Sequence, residues 1–168
     1  SPTMSQLGRA LLCQLVVSNK WDLAMGDIKG AFLEAGPLPE KYRPLYSELP
    51  PGGIPGVAEG SIIEVLGNVY GQGDAPHNWY VQFDHEVTKA AVVSSKFDPC
   101  LYFMRCPING NLSGVLGAHV DDTMTGGTGD AYNQAIAALK TRFPYRKWRI
   151  GTREFCGTMY EQDPETKE

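Results

Sequence analysis

The sequence predicts an α+β domain, an antiparallel sheet with helices packed on one face. Three observations predict it. Apolar residues recur at helical spacing in residues 5–19, 75–91 and 130–143. Short β-prone runs lie between them, bounded by Gly, Pro, Asn and Asp. The chain has 168 residues, 42% hydrophobic and 20% charged, enough for a single domain with a real core.

Several classes are excluded at once. No apolar run is long enough to cross a bilayer, so no membrane partner is expected. The start, Ser1-Pro2-Thr3-Met4, lacks a signal peptide's basic and apolar regions. It also lacks an initiator Met, so a fragment of a longer chain is expected. Cys13, Cys100, Cys106 and Cys156 show no Cys-x-x-Cys spacing and no nearby His pairing. Reduced thiols in an intracellular protein are therefore expected, not a zinc site or disulfide framework. A net charge of -4 argues against a wholly basic nucleic-acid binder.

The elements follow in order. Leu7, Leu11, Leu15 and Val16 line a first helix, with Ser5 as its N-cap. Residues 21–28 read as a buried strand with Trp21, Leu23, Met25 and Asp27 on one face. Asp27 ends that apolar row, and a carboxylate there is costly to bury unless paired or metal-bound. Residues 29–35 read as a turn or short helix whose leading N–H groups could meet an anion such as a triphosphate. Pro37, Pro39, Pro44, Pro50, Pro51 and Pro55 make residues 36–60 loop-rich, with a short strand around 45–49. Residues 61–66 form the next strand.

A Gly-rich turn over residues 67–76 opens the second helix, with Asp74 as cap and Pro76 in the first turn. It is not a P-loop, because no Gly-Lys-Ser/Thr follows. Trp79, Phe83, Val87 and Ala91 repeat every four residues as its apolar face. Residues 100–104 and 112–120 form a hairpin about Asn109-Gly110. Tyr132, Ile136, Leu139 and Phe143 share a face of the third helix. Residues 155–160 close the fold as a strand or small hairpin, and residues 163–168 are expected to fray.

Two stretches carry chemistry. Residues 117–125 run apolar residues into Asp121-Asp122 and then into a β-prone run, a strand–turn–strand pattern. Two adjacent carboxylates raise one another's pKa unless a cation lies between them, and a hard ion such as Mg2+ suits their oxygens. Asp-Asp alone reads better as a plain hairpin turn; Asp27, a further carboxylate on a core strand, shifts the balance towards a site. Lys140, Arg142, Arg146, Lys147, Arg149 and Arg153 form an acid-free basic run interleaved with Phe143, Tyr145 and Trp148. Such charge contacts phosphates and such rings stack on bases or sugars; a solvated basic face over core aromatics fits the same pattern.

Several stretches then align, in order, with one family. Asp27-Ile28-Lys29-Gly30-Ala31-Phe32-Leu33 resembles the Asp-Val-Lys-Thr-Ala-Phe-Leu of copia-type (Ty1/copia) retrotransposon reverse transcriptases. Val69-Tyr70-Gly71 through Ala75-Pro76 and Trp79 resembles their Leu-Tyr-Gly-Leu-Lys-Gln-Ala-Pro-Arg-Ala-Trp. Asp98-Pro99-Cys100-Leu101-Tyr102 resembles Asp-x-x-Leu-Phe, and His119-Val120-Asp121-Asp122 resembles the Tyr-Val-Asp-Asp box. Leu139 to Phe143 and Phe155 to Thr158 resemble the Leu-Lys-x-x-Phe and Phe-Leu-Gly-Ile that follow.

The resemblance implies a reverse-transcriptase palm over residues 1–168, from the Pol polyprotein, catalysing RNA-directed DNA polymerisation. It implies that Asp27, Asp121 and Asp122 are catalytic and, with the backbone of Ile28, hold two Mg2+ ions, Mn2+ being an alternative. It assigns Ile28, Lys29, Gly30, Ala31, Phe32, Tyr70 and Gly71 to the nucleotide, Phe32 as the gate against a 2′-hydroxyl. It sets His119, Val120, Arg146, Lys147, Arg149, Phe155, Gly157 and Thr158 along primer and template. The implied partners are an RNA or DNA template–primer, deoxynucleoside triphosphates and the polyprotein's integrase, ribonuclease H and protease. The implied location is the cytoplasm, in a virus-like particle, with the nucleus as the alternative. His119 departs from the family Tyr, and Gly73, Asp74 and His77 make the Gly-rich turn less basic than the family's. Fingers before the chain and a full thumb after it are expected to be missing, so weak activity is expected of these residues alone. A decayed or domesticated palm that binds nucleic acid or acts as a scaffold is the alternative, and an unrelated Mg2+ nuclease is a third.

Overall fold

The structure is a computed structural model and describes residues 2–90 and 92–168. Ser1 and Ala91, the latter expected to extend the second helix, lie outside the described residues. The chain runs α1 (Gln6–Ser18), β1 (Ala24–Ile28), a 3-10 helix (Ala31–Glu34), β2 (Tyr46–Glu48), β3 (Ile62–Glu64), α2 (Ala75–Lys89), β4 (Val93–Ser94) and β5 (Leu101–Arg105). It continues β6 (Leu112–His119), β7 (Asp122–Gly127), α3 (Gly129–Arg142), β8 (Tyr145–Ile150), β9 (Arg153–Phe155) and β10 (Thr158–Tyr160). A six-stranded sheet has the order β4-β5-β6-β7-β1-β8, every neighbouring pair antiparallel. The pairs β2–β3 and β9–β10 are separate hairpins.

The fold is mixed α+β with an antiparallel sheet, but its helices do not share one face. Ile28, Leu116 and Ala118 pack with Trp79, Phe83 and Val87 of α2 and Ile136 and Leu139 of α3. Met25, Val115 and Met124 pack on the opposite face with Leu12 and Val16 of α1. The physical reason lies in β6, where residues 113–118 are buried without a break. A strand buried on both faces needs a cover on each. A Cβ on Gly117 would lie 2.2 Å from Met4 Sδ and 3.0 Å from Leu12 Cδ1, so glycine lets the α1 layer approach closely.

The first helix begins where expected. Ser5 caps α1 by accepting from Gly8 N at 2.9 Å. Its own N–H and Oγ donate to Asp98 Oδ2 at 2.8 and 2.7 Å, and Cys100 N donates to Asp98 Oδ1 at 3.0 Å. Asp98 is therefore a buried clasp joining the start of α1 to β5. Asp74 precedes α2 without a side-chain capping bond. The basic run holds a strand, β8, that no apolar alternation announced. It forms an edge of the large sheet, with Arg146, Lys147 and Arg149 exposed, and charged side chains there discourage edge-to-edge pairing. The chain end, expected to fray, is held by contacts in the structure. Lys167 Nζ pairs with Asp22 at 2.6 Å, and Gln162 bonds both Trp21 O and Leu23 N. Among the described residues, no helix is long and apolar enough to cross a membrane.

Candidate active site at the carboxylate end of the sheet

Four strands place four polar residues in one row. His119 of β6 pairs with Asp122 of β7, Asp122 with Asp27 of β1, and Asp27 with Arg146 of β8. Direct cross-strand partners project from the same face. This is the face of Met25 and Met124, towards α1 and the β9–β10 hairpin. Asp27 is buried, Asp121 and Asp122 half-buried.

The turn between β6 and β7 has two central residues, Val120 and Asp121, because His119 pairs with Asp122. Val120 has φ 57°, an outlier for a β-branched residue. A positive φ at the first central position alone has the sign pattern of a type II′ turn, which normally takes glycine there. Two hydrogen bonds hold the loop. Trp79 Nε1–H donates to Val120 O at 2.7 Å, and Ile28 N–H donates to Asp121 O at 2.8 Å.

Two arginines answer the carboxylates. Arg146 Nε donates to Asp27 Oδ2. Arg153 Nη2 donates to Asp27 Oδ1 at 3.3 Å and lies 3.6 Å from Asp122 Oδ1. Its Nη1 donates to Met25 O at 3.3 Å and Lys147 O at 2.6 Å, so this guanidinium ties the β9 strand to the row. Burial, then the Asp121 charge, pushes the Asp122 carboxyl above its usual range; Arg153 opposes the rise and Asp27 adds to it. The Cys156 N–H also opposes it. Asp122 therefore feels both other carboxylates, and hard oxygen donors of net negative charge suit Mg2+ or Mn2+. Among the described residues no three ligand side chains stand grouped to hold an ion, and Asp27 is paired with two arginines.

The remaining expected site residues differ in exposure. Phe32 and Tyr70, 38 positions apart in the chain, come together with ring centroids 5.6 Å apart. Tyr70, Gly71, Lys29, Lys147, Arg149, Gly157 and Thr158 are exposed. A second group faces inward. Val120 packs on the α2–α3 core, and Phe155 is buried under Arg9 and against Tyr160. Ala31 and Ile28 are also buried. Ile28 N–H is spent on Asp121 O and Lys29 N–H on Pro144 O, so these two cannot also donate to a triphosphate in this conformation. Ile28 could ligate a metal only through its carbonyl. Gly30 stands at φ 66° before the 3-10 helix. His119, last, keeps a buried Nδ1 without a hydrogen-bond partner among the described residues.

In the sequence Trp79 reads as an apolar-face residue and the Trp of a motif, and Arg153 as one charge in a basic run. The Trp79 hydrogen bond crosses 41 positions and the Arg153–Asp27 bond 126, and no local pattern signals either.

The chain is similar to a plant retrotransposon polyprotein. It is 28% identical over 124 residues to the retrovirus-related Pol polyprotein from transposon TNT 1-94 of Nicotiana tabacum. The match covers 74% of this chain and 9% of that polyprotein. The chain thus resembles one short part of a transposon Pol polyprotein. No family model matches the chain, and no solved structure matches it.

Proposed function

We propose that this chain is the palm of an RNA-directed DNA polymerase, extending a primer 3′-hydroxyl by transfer from deoxynucleoside triphosphates. One observation carries the reading: Asp27 faces Asp122 in register beside the Val120-Asp121 turn. These are the three positions where the resemblance to copia reverse transcriptases sets the catalytic carboxylates. The similarity to a Pol polyprotein supports the same reading.

Asp27, Asp121 and Asp122 would hold the two divalent cations, which supply charge neutralisation at the triphosphate and a lowered pKa for the primer hydroxyl. The chain's own contribution is positioning. The rigid sheet fixes Asp27 against Asp122, and the Ile28–Asp121 bond fixes the turn against β1. Phe32, braced by Tyr70, forms a wall where a sugar 2′-hydroxyl would clash. Lys147 and Arg149 on the exposed edge strand offer charge to a phosphate backbone. Arg146, whose side chain is 54% exposed, is the guanidinium that phosphate can draw from Asp27. An RNA or DNA template–primer and the rest of a Pol polyprotein are the partners of this reading.

The test is primer extension on an RNA template by the polyprotein segment containing this chain, with deoxynucleotides and Mg2+. Extension should occur and vanish in an Asp121→Asn/Asp122→Asn variant; extension that persists in the variant sinks the reading. The pairing of Asp27 with both arginines favours a second reading, a palm retained for nucleic-acid binding. Template–primer binding without extension would select it.

A further inference from the structure

We propose that Trp79 is a positioning residue for the Asp121-Asp122 turn. Its indole N–H holds the Val120–Asp121 peptide in the orientation that presents the carboxylates. The inference rests on the reading that those carboxylates take divalent cations.

Trp79 is 2% exposed, packed on Phe83 and edge-on to Phe143 at 5.2 Å. Its indole is thus fixed by α2 and α3 before it meets the turn. The one polar atom of that ring reaches Val120 O at 2.7 Å. A trans peptide directs its C=O and N–H to opposite sides. With the Val120 carbonyl turned towards α2, the Asp121 N–H points away from Trp79. Val120 adopts φ 57°, which its branched side chain disfavours. Such a residue persists only where its surroundings over-determine it. The indole bond on one side of the turn and the Ile28–Asp121 bond on the other are those surroundings. A phenylalanine would fill the same space and donate nothing, so the donor and the packing are separable.

The test separates them. Trp79→Phe keeps an aromatic ring against Phe83 and Phe143 and deletes the donor. Val120→Gly takes a positive φ without penalty and removes the need for one. Mn2+ dissociation constants, read by electron paramagnetic resonance on the folded chain, should weaken about tenfold in Trp79→Phe, the loss of one good hydrogen bond. In Trp79→Phe/Val120→Gly the affinity should return close to that of Val120→Gly alone. An unchanged affinity in Trp79→Phe, or a double variant as weak as Trp79→Phe, overturns the proposal. A second readout does not depend on metal. The Trp79 indole proton should exchange slowly with solvent in the unaltered chain, and the Asp121 and Asp122 amides should lose protection in folded Trp79→Phe. Fast exchange of that indole in the folded chain overturns the proposal even if Mn2+ binds. Absence of Mn2+ binding by the unaltered chain, with the indole protected, instead defeats the metal reading and leaves the positioning of the turn intact.

Discussion

Asp27 and Arg146 are cross-strand partners on β1 and β8, and the guanidinium is hydrogen-bonded to the carboxylate at the centre of the row. With Arg153 on its other oxygen, Asp27 meets two cationic groups where a divalent ion would need it. Cation binding is then an exchange of one positive partner for another. Arg146→Gln should therefore bind Mn2+ more tightly than the unaltered chain, measured by calorimetric titration. Equal affinity would show that Arg146 does not compete.

Asp122 should make stability pH-dependent in the direction opposite to an ordinary paired carboxylate. Burial, then Asp121, raises its folded pKa above the unfolded value, so the native state holds the proton more tightly. Its contribution is fully present below the unfolded pKa and is lost as pH rises through the raised folded one. At neutral pH the charged group works against folding. Asp122→Asn should raise the melting temperature at pH 7, and the gain should shrink as pH falls into the carboxylate range. A gain independent of pH would rule out this cause.

Asp98 should matter for stability without touching the row. It accepts three hydrogen bonds while 5% exposed, two from Ser5 and one from Cys100. Asp98→Ala would strand buried donors and release the start of α1, at a cost of about 3 kcal/mol. Equilibrium urea denaturation measures it, and a loss below about 1 kcal/mol would show that water replaces the carboxylate.

Gly26 should accept a side chain only at a cost in stability. A Cβ there would stand 2.5 Å from Trp148 Cε3 and 3.0 Å from Tyr145 Cδ1. Those two rings meet edge to face at 5.2 Å, and Lys140 Nζ covers Trp148 at 3.7 Å. Neither ring can yield cheaply, so Gly26→Ala should cost roughly 1–3 kcal/mol. Faster amide exchange along β8 than along β6 should accompany it, because the displaced rings belong to the edge strand.

The sequence by itself determined the short-range features. Helical spacing set the bounds of α1, α2 and α3 to within a residue or two, and Ser5 marked a true cap. The face expected for α1 was wrong: Leu7 and Leu11 are exposed, and Gly8, Leu12 and Val16 are buried. The Asn109-Gly110 and Asp121-Asp122 signals marked the two turns that bring β5, β6 and β7 together. These depend on forces between residues a few positions apart, so they are written in local order. Only the tertiary structure decided the rest. It put β8 beside β1, covered both faces of the sheet, drew Phe155 into the core and seated the chain end on Trp21 and Asp22. It also paired Asp27 with arginines 119 and 126 positions away. Strand order governs those contacts. It is set by which apolar faces can be buried together, a property of the whole chain and of no single stretch.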